Sequence, residues 1–234
     1  MSNTSEWLPV KLEAGAMDVF VARPSEPVGL GIVMLQEIFG VNDAMRRKAQ
    51  LFAEAGFVVA VPDLFWRLEP GVDLQYGEED RKRGFGLMQR FDFKAGIQDV
   101  LSTADWLGTE SGVKGKVALV GFCIGGKLAV VAGAKKRFAA VASFYGVKLD
   151  ENFAELDAIE APLQIHVGDK DAHVPMETVG KLKSHLTNHP NASVYVYPDA
   201  QHGFFNEKRE DVYNPEAALP ARQRTFEMLR SAAA

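Results

Sequence analysis

Apolar runs and amphipathic stretches alternate along most of this chain. The pattern predicts two short strands at its start, at Leu8 to Leu12 and at Asp18 to Val21. Gly15 between them suits a hairpin turn at an antiparallel edge. The continuous apolar run Gly29 to Leu35 is typical of a strand that is buried on both faces of a parallel sheet, and Phe57 to Val61 predicts a second buried strand. Further strands are predicted at Val117 to Val120, Ala139 to Tyr145, Leu163 to Val167 and Ser193 to Tyr197.

Helical periodicity separates these predicted strands. Apolar residues recur at helical spacing from Met45 to Ala53, after a capping Asn42 and before a closing Gly56. Further helices are predicted at Lys94 to Leu107, Lys127 to Ala132, Val179 to Leu186 and Pro215 to Arg230. This alternation predicts an α/β fold with a mostly parallel, doubly wound sheet, an N-terminal antiparallel edge, and ligand loops at the carboxyl ends of the strands.

One segment, residues 63–90, interrupts this regular pattern. It is longer than an average connection and rich in charge, so we interpret it as a solvated excursion or as a cap over a site. Its mixed-charge run, Glu78 to Arg83, is typical of a solvent-exposed helix face. No composition shift or long linker divides the chain, so residues 1–234 are predicted to form a single domain.

Composition narrows the class of protein. The chain has 26 basic and 31 acidic residues, a net charge of −5, and no basic stripe, so nucleic acid is not an expected partner. The single cysteine cannot form an internal disulfide, which favours the cytoplasm. The longest apolar run, Val28 to Leu35, is too short to span a membrane, and no signal-peptide pattern is visible. We expect a monomer without membrane contact.

The most informative stretch is Gly121-Phe122-Cys123-Ile124-Gly125-Gly126, between a predicted strand and a predicted helix. A G-x-S-x-G turn in this context is the nucleophile elbow of α/β-hydrolases, and here cysteine stands in the serine position. A helix N-terminus favours an anion, so a thiolate forms more easily there, and we predict that Cys123 is a nucleophile. The alternative is an inert, buried thiol at a tight crossover.

Two later loops offer partners for this thiol. Asp171 follows the strand that ends at Val167, and His202 follows the strand that ends at Tyr197. The order nucleophile, acid, histidine matches the α/β-hydrolase triad, in which histidine moves protons and the carboxylate orients it. Alternatively, Asp171 caps a following helix and His202 is a structural loop residue. Asp169 is a rival for the acid.

The chemistry also requires donors for a developing oxyanion. The backbone N–H groups of Ile38 and Ile124 are the candidates, because such donors come from the loop after an earlier strand and from the residue after the nucleophile. Glu37 is a carboxylate at the end of a buried strand, so it is either catalytic or a charge at a helix start. The other histidines show no metal-ligand spacing, and no metal or cofactor is expected.

These stretches resemble the dienelactone hydrolase family, also called carboxymethylenebutenolidase, which has the α/β-hydrolase fold and a cysteine nucleophile. The resemblance covers nearly the whole chain and rests on residues 36–42, 61–65, 121–126, 169–175 and 202–204. It implies that Cys123, His202 and Asp171 form the triad. It also implies that Glu37 holds the resting thiol and takes its proton when substrate arrives, that the thiolate opens the lactone, and that water releases the acyl group from a thioester intermediate.

The resemblance further implies a substrate pocket. Its residues would be Arg81, Phe39, Tyr145, Phe85, Phe204 and Asn206. Asn206 stands where the archetype has a second arginine for the substrate carboxylate, and the loss of a bidentate partner weakens binding of that carboxylate. Lys208 and Arg209 stay open as substitutes, and Phe85 and Met88 replace a tyrosine and a tryptophan.

We therefore expect a hydrolase of small carboxylic esters or lactones, with a role in the breakdown of aromatic compounds implied by the family. A thioesterase is the alternative within hydrolases. A ligand-binding or redox-sensing protein that keeps the fold and the thiol without turnover is the alternative of another class.

Overall fold

Strands and helices alternate along residues 2–234, which are the residues that the computed structural model describes. The strands are β1 (Thr4–Leu12), β2 (Gly15–Arg23), β3 (Gly29–Leu35), β4 (Val58–Pro62), β5 (Val113–Phe122), β6 (Val141–Phe144), β7 (Leu163–Gly168) and β8 (Ala192–Tyr197). The α-helices are α1 (Asp43–Glu54), α2 (Glu78–Arg90), α3 (Phe93–Gly108), α4 (Ile124–Gly133), α5 (Phe153–Asp157), α6 (Met176–His185) and α7 (Pro215–Ala233).

The last two residues aside, the chain divides into two compact units that meet in sequence between Ala118 and Leu119. In the first unit, β1 and β2 form the antiparallel hairpin that the sequence predicts, and β2 pairs with β4. β3 pairs with β4 in parallel, and both strands are buried along their whole length, as their continuous apolar runs predict. Asn42 caps α1 by accepting a hydrogen bond from the backbone N–H of Met45 at 3.1 Å.

The second unit is built on four parallel strands in the order β5-β6-β7-β8. β5 begins in the first unit and ends in the second, so one strand runs through the boundary. The carboxyl ends of β5, β7 and β8 lead into the loops of Cys123, Asp171 and His202. This placement follows from parallel pairing, because parallel strands end at the same edge of a sheet.

The predicted fold class is confirmed: the sheet is mostly parallel, its N-terminal strands are antiparallel, and helices connect the parallel strands. The charged run at 78–83 lies in helix α2 as predicted. The short helix α5 and a 3₁₀ turn at Leu149–Glu151 were not predicted, because such short elements carry no readable period. Within residues 2–234, no helix has the length and apolar character needed to cross a membrane. The single-domain organisation stays a prediction.

Candidate active site

Cys123 occupies a strained bend between β5 and α4. Its φ is 57° and its ψ is −117°, a conformation that L residues rarely adopt and that is found where the surrounding structure enforces it. The bend also requires glycine at position 121, where a Cβ atom would lie 1.9 Å from the carbonyl oxygen of Gly125. The Cys123 N–H donates to the Phe144 carbonyl at 3.0 Å. The thiol therefore stays partly exposed at the N-terminus of α4.

Asp171 is buried in the loop after β7 and uses its two oxygens differently. Oδ1 accepts the backbone N–H groups of His173 at 2.8 Å and Val174 at 3.0 Å. Oδ2 lies 2.9 Å from Nδ1 of His202. The N-cap of α6 is Pro175, so the alternative interpretation of Asp171 as a helix cap is wrong. One carboxylate thus orders its own loop and contacts the histidine.

His202 lies between the Cys123 thiol group and the Asp171 carboxylate. Burial disfavours the charged imidazole, but the charge and hydrogen bond of Cys123, together with those of Asp171, outweigh burial and raise the pKa of His202 to about 10. The rival acid, Asp169, lies instead 3.9 Å from Nζ of Lys170. The structure therefore brings Cys123, His202 and Asp171 into contact within the second unit.

Two further rings fix the orientation of the His202 imidazole. The ring of Tyr145 is 4.9 Å from it and the ring of His173 is 4.7 Å from it, both edge-on. Tyr145 has a φ of 39°, and its N–H donates to the His166 carbonyl at 2.7 Å. From the sequence, His173 was predicted only to lack metal-ligand spacing, as one of the remaining histidines. Its position two residues after Asp171 was the available signal.

The other predicted residues of the second unit are buried. Ile124 is the first residue of α4, and its backbone N–H belongs to the open end of that helix. Tyr145 and Phe204 pack edge to face at 5.5 Å, and Asn206 orders its own turn by accepting the Lys208 N–H at 3.1 Å. Roles of these residues in substrate binding stay predictions.

The first unit gathers the remaining predicted residues around the end of β3. Glu37, Ile38 and Phe39 follow this strand and are each about 95% buried, with exposures of 4%, 5% and 5%. The ring of Phe39 packs edge-on against Tyr76 at 4.8 Å. The predicted pocket residues Arg81 and Phe85 lie on α2, and Arg81 donates to the Tyr76 carbonyl at 3.2 Å. Their roles, and those of Glu37 and Ile38, stay predictions.

The side chains of residues 2–234 form no group of three or more histidine, cysteine or carboxylate residues that could hold a metal ion. The chemistry available in the second unit is instead that of a thiol, an imidazole and a carboxylate in series. Such a series on loops after parallel strands, with the thiol on a strand-turn-helix elbow, is characteristic of α/β-hydrolase enzymes.

Comparisons with known proteins agree with this class. The model of the dienelactone hydrolase family matches residues 17–233. A putative carboxymethylenebutenolidase of Azospirillum brasilense is 35% identical over 225 residues, covering 92% of this chain and 95% of the relative. Carboxymethylenebutenolidase 1 of Cupriavidus pinatubonensis is 30% identical over 216 residues, covering 92% of each chain.

Solved structures show the same fold. A putative dienelactone hydrolase from Klebsiella pneumoniae superimposes with a TM-score of 0.84 at 23% identity, covering 98% of this chain and 99% of that one. The chain belongs to the dienelactone hydrolase family. It is an enzyme of the ester and lactone hydrolase class, as the sequence predicted.

Proposed function

We propose that the chain hydrolyses small carboxylic esters or lactones through a triad of Cys123, His202 and Asp171. The observation that carries the proposal is the double engagement of His202. Its Nδ1 lies 2.9 Å from Asp171 Oδ2, and the imidazole also hydrogen-bonds the Cys123 thiol group. A histidine held between a nucleophile and a carboxylate is the arrangement that moves protons in acyl transfer.

The proposed reaction has two halves. The Cys123 sulfur attacks the carbonyl carbon, and the N–H groups of Ile38 and Ile124 are the proposed donors to the resulting oxyanion. Collapse breaks the bond to the alcohol oxygen, which takes the proton from the His202 imidazolium and leaves a thioester on Cys123. Neutral His202 then takes a proton from water as its oxygen attacks the thioester, and collapse releases the acid and the thiolate. The acid ionises to the solvent, and the cycle closes.

Glu37 is proposed to take up the thiol proton when substrate binds, as the family resemblance implies, and to return it to the Cys123 thiolate once the acid has left. Its support in this chain is its position. It is a buried carboxylate directly before Ile38, at the end of β3, and a carboxylate in that setting needs a polar or charged partner. If Cys123 keeps its proton until substrate binds, the thiol is also protected from oxidation, because the thiolate is the form that oxidises.

The proposed substrate is a neutral ester or lactone in preference to one bearing a carboxylate. Asn206 carries no charge, and it is fully buried. Arg209, which the sequence left open as a substitute arginine, lies 2.9 Å from Asp211, and its side chain is 12% exposed. This carboxylate contact already occupies the guanidinium, which reduces its capacity to bind a second carboxylate.

The test compares initial rates on p-nitrophenyl esters and small lactones for the wild type, Cys123→Ala and His202→Ala. We expect each substitution to lower kcat by about 10³-fold or more, since members of a triad act as a unit. The matched control is His185→Ala, which removes a histidine on α6 that pairs with Asp157. Turnover that survives Cys123→Ala would refute the assigned nucleophile.

A further inference from the structure

Helix α2 contacts the backbone of Ile38 at Gly84. A Cβ atom at position 84 would lie 2.6 Å from the Ile38 carbonyl oxygen, 3.3 Å from its carbonyl carbon and 3.3 Å from its Cγ1. Ordinary contacts between carbon and a carbonyl oxygen begin at about 3.3 Å. Both residues are buried, and the contact is with backbone, which cannot rotate away as a flexible side chain can. Only glycine therefore permits this approach.

The segment before α2 holds the residues that follow Ile38. The Leu74 N–H donates to the Phe39 carbonyl at 2.9 Å, and Gly40 forms an antiparallel bridge with Asp73. Nδ2 of Asn42 in turn donates to the Leu74 carbonyl at 2.9 Å. Residues 39–42 of the loop after β3 are thus held by backbone and side-chain hydrogen bonds to residues 73 and 74. Residue 38 is held separately, by its contact with Gly84.

A second glycine on the same helix isolates this effect. Glycine in a helix interior is less favourable than alanine, so alanine is the natural test substitution at both glycines of α2. A Cβ atom at Gly86 would meet no atom within 4 Å, whereas one at Gly84 would strike the Ile38 carbonyl. The close approach at Gly84 is therefore a local requirement of the loop after β3 and not a general property of α2.

We propose that Gly84 is a positioning residue for the hydrolysis. Its lack of a side chain lets α2 pack closely against the carbonyl and Cγ1 of Ile38 and so limits the movement of this residue. The N–H of Ile38, in the preceding peptide group, is the donor to the oxyanion in the proposed function on which this inference rests. A donor must lie 2.7–3.1 Å from the oxyanion, and a displacement on the order of 1 Å costs about 10²-fold in rate. Adding one methyl group at position 84 displaces the Ile38 backbone.

The experiment compares the wild type, Gly84→Ala and Gly86→Ala in two reactions. Hydrolysis of a p-nitrophenyl ester passes through an oxyanion. Alkylation by iodoacetamide does not, because the Cys123 sulfur displaces iodide from a CH₂ carbon and no oxyanion forms. We expect Gly84→Ala to lower kcat by about 10- to 100-fold, with KM changed less than about 3-fold and the alkylation rate unchanged. Gly86→Ala should leave kcat, KM and alkylation at the values of the wild type.

A kcat for Gly84→Ala within twofold of the wild type overturns the proposal. So does an equal loss of ester turnover and Cys123 alkylation, which indicates general disruption. In both cases the wild type and Cys123→Ala still report on the triad separately. If Gly84→Ala folds only in part, its kcat is expressed per Cys123 thiol titrated by iodoacetamide in the folded fraction at low temperature. A kcat per reactive thiol that is about 10-fold or more below the wild type supports the proposal, and one within about twofold refutes it.

Discussion

At the scale of single residues, the Asp171 carboxylate has two tasks. Oδ1 accepts two backbone N–H groups of its own loop, and Oδ2 lies against Nδ1 of His202. Oδ1 therefore has the structural task of ordering the loop, and Oδ2 has the chemical task of orienting His202. A change that keeps Oδ1 but alters Oδ2 separates the two tasks.

Asp171→Asn is that change. The amide oxygen keeps the backbone N–H groups of His173 and Val174, while the NH₂ group faces Nδ1 of His202 and forces it to accept. The other ring nitrogen then carries the hydrogen toward Cys123, so the histidine cannot take a proton there. We expect kcat to fall by about 10³- to 10⁴-fold with little change in the melting temperature, measured by ester hydrolysis and circular dichroism.

Asp169→Asn provides the comparison for Asp171→Asn. Asp169 lies in the same loop but contacts Lys170, at 3.9 Å. If Asp169→Asn lowered kcat as much as Asp171→Asn, the assignment of the acid would be wrong. A large fall in melting temperature for Asp171→Asn would show instead that the loop, and not the tautomer of His202, had been lost.

The residues of the second unit's site were predictable because they carry local signals. Cys123 sits between glycines after an apolar run, and Asp171 and His202 directly follow two later runs. The rings that orient His202 had weaker signals, because contact of Tyr145 and His173 with it depends on loop conformations. Gly84 had none, since its role arises from a contact with residue 38, far away in sequence.

At the scale of elements, a polar network joins β7, β8 and α7 around His166. Its Nδ1 lies 2.8 Å from the Tyr197 hydroxyl and its Nε2 lies 3.2 Å from the Thr225 hydroxyl. The Thr225 hydroxyl donates to the Ala221 carbonyl at 2.9 Å, so it accepts from Nε2–H, and the Tyr197 hydroxyl donates to the unprotonated Nδ1. Burial, with a smaller effect of Arg224, lowers the pKa of His166 to about 3. The neutral ring is therefore part of the fold.

This network predicts a specific loss of stability in acid. The unfolded chain takes up a proton on His166 near pH 6.5, whereas the folded chain does so only near pH 3. The stabilisation is therefore complete above about pH 6.5 and is lost as the pH falls toward 3, by about 2–3 kcal/mol at pH 4.5. His166→Gln removes the titration, so the difference in unfolding free energy between wild type and variant should shrink from pH 7 to pH 4.5 in urea titrations.

The exposed His185→Gln serves as the control for this pH effect, because it removes a histidine of α6 outside the buried network. A difference between wild type and His166→Gln that stays constant from pH 7 to pH 4.5 would contradict the buried, neutral state of His166.

The elements themselves were predicted as well as their patterns allowed. β3 was predicted at its observed bounds, because the strand is buried on both faces and every one of its residues is therefore apolar or glycine. β1 begins at Thr4, four residues earlier than predicted, because that part of the strand is exposed and its side chains carry no alternation. The helix α7 continues through the interior Pro220, although a proline at that position removes one backbone hydrogen bond.

At the scale of the whole molecule, the fold class followed from the alternation of runs, but the division into two units did not. Neither composition nor linkers mark a boundary at residue 118, and the boundary falls inside an apolar strand. The units are defined by contacts between distant segments, which a sequence pattern does not register. The prediction of a single domain therefore has to be tested by cooperativity.

The chain offers a separate probe for each unit. Its three tryptophans, Trp7, Trp66 and Trp106, all lie in the first unit, and its single cysteine lies in the second. Tryptophan fluorescence thus follows the first unit alone. A Cys123→Ala chain that carries Val167→Cys places one thiol at a fully buried position of β7, so its labelling follows the second unit alone.

A single domain predicts that both probes change at the same denaturant concentration. Residues 113–118 of β5 fall in the first unit and residues 119–122 in the second, so no loop or linker separates the units, and unfolding one unit alone would have to interrupt a continuous strand. We expect fluorescence and thiol labelling in urea to give coincident midpoints and equal slopes, with the Cys123→Ala chain as the unlabelled control. Midpoints that differ by more than about 0.5 M, well outside the error of a two-state fit, would show two independently unfolding domains instead.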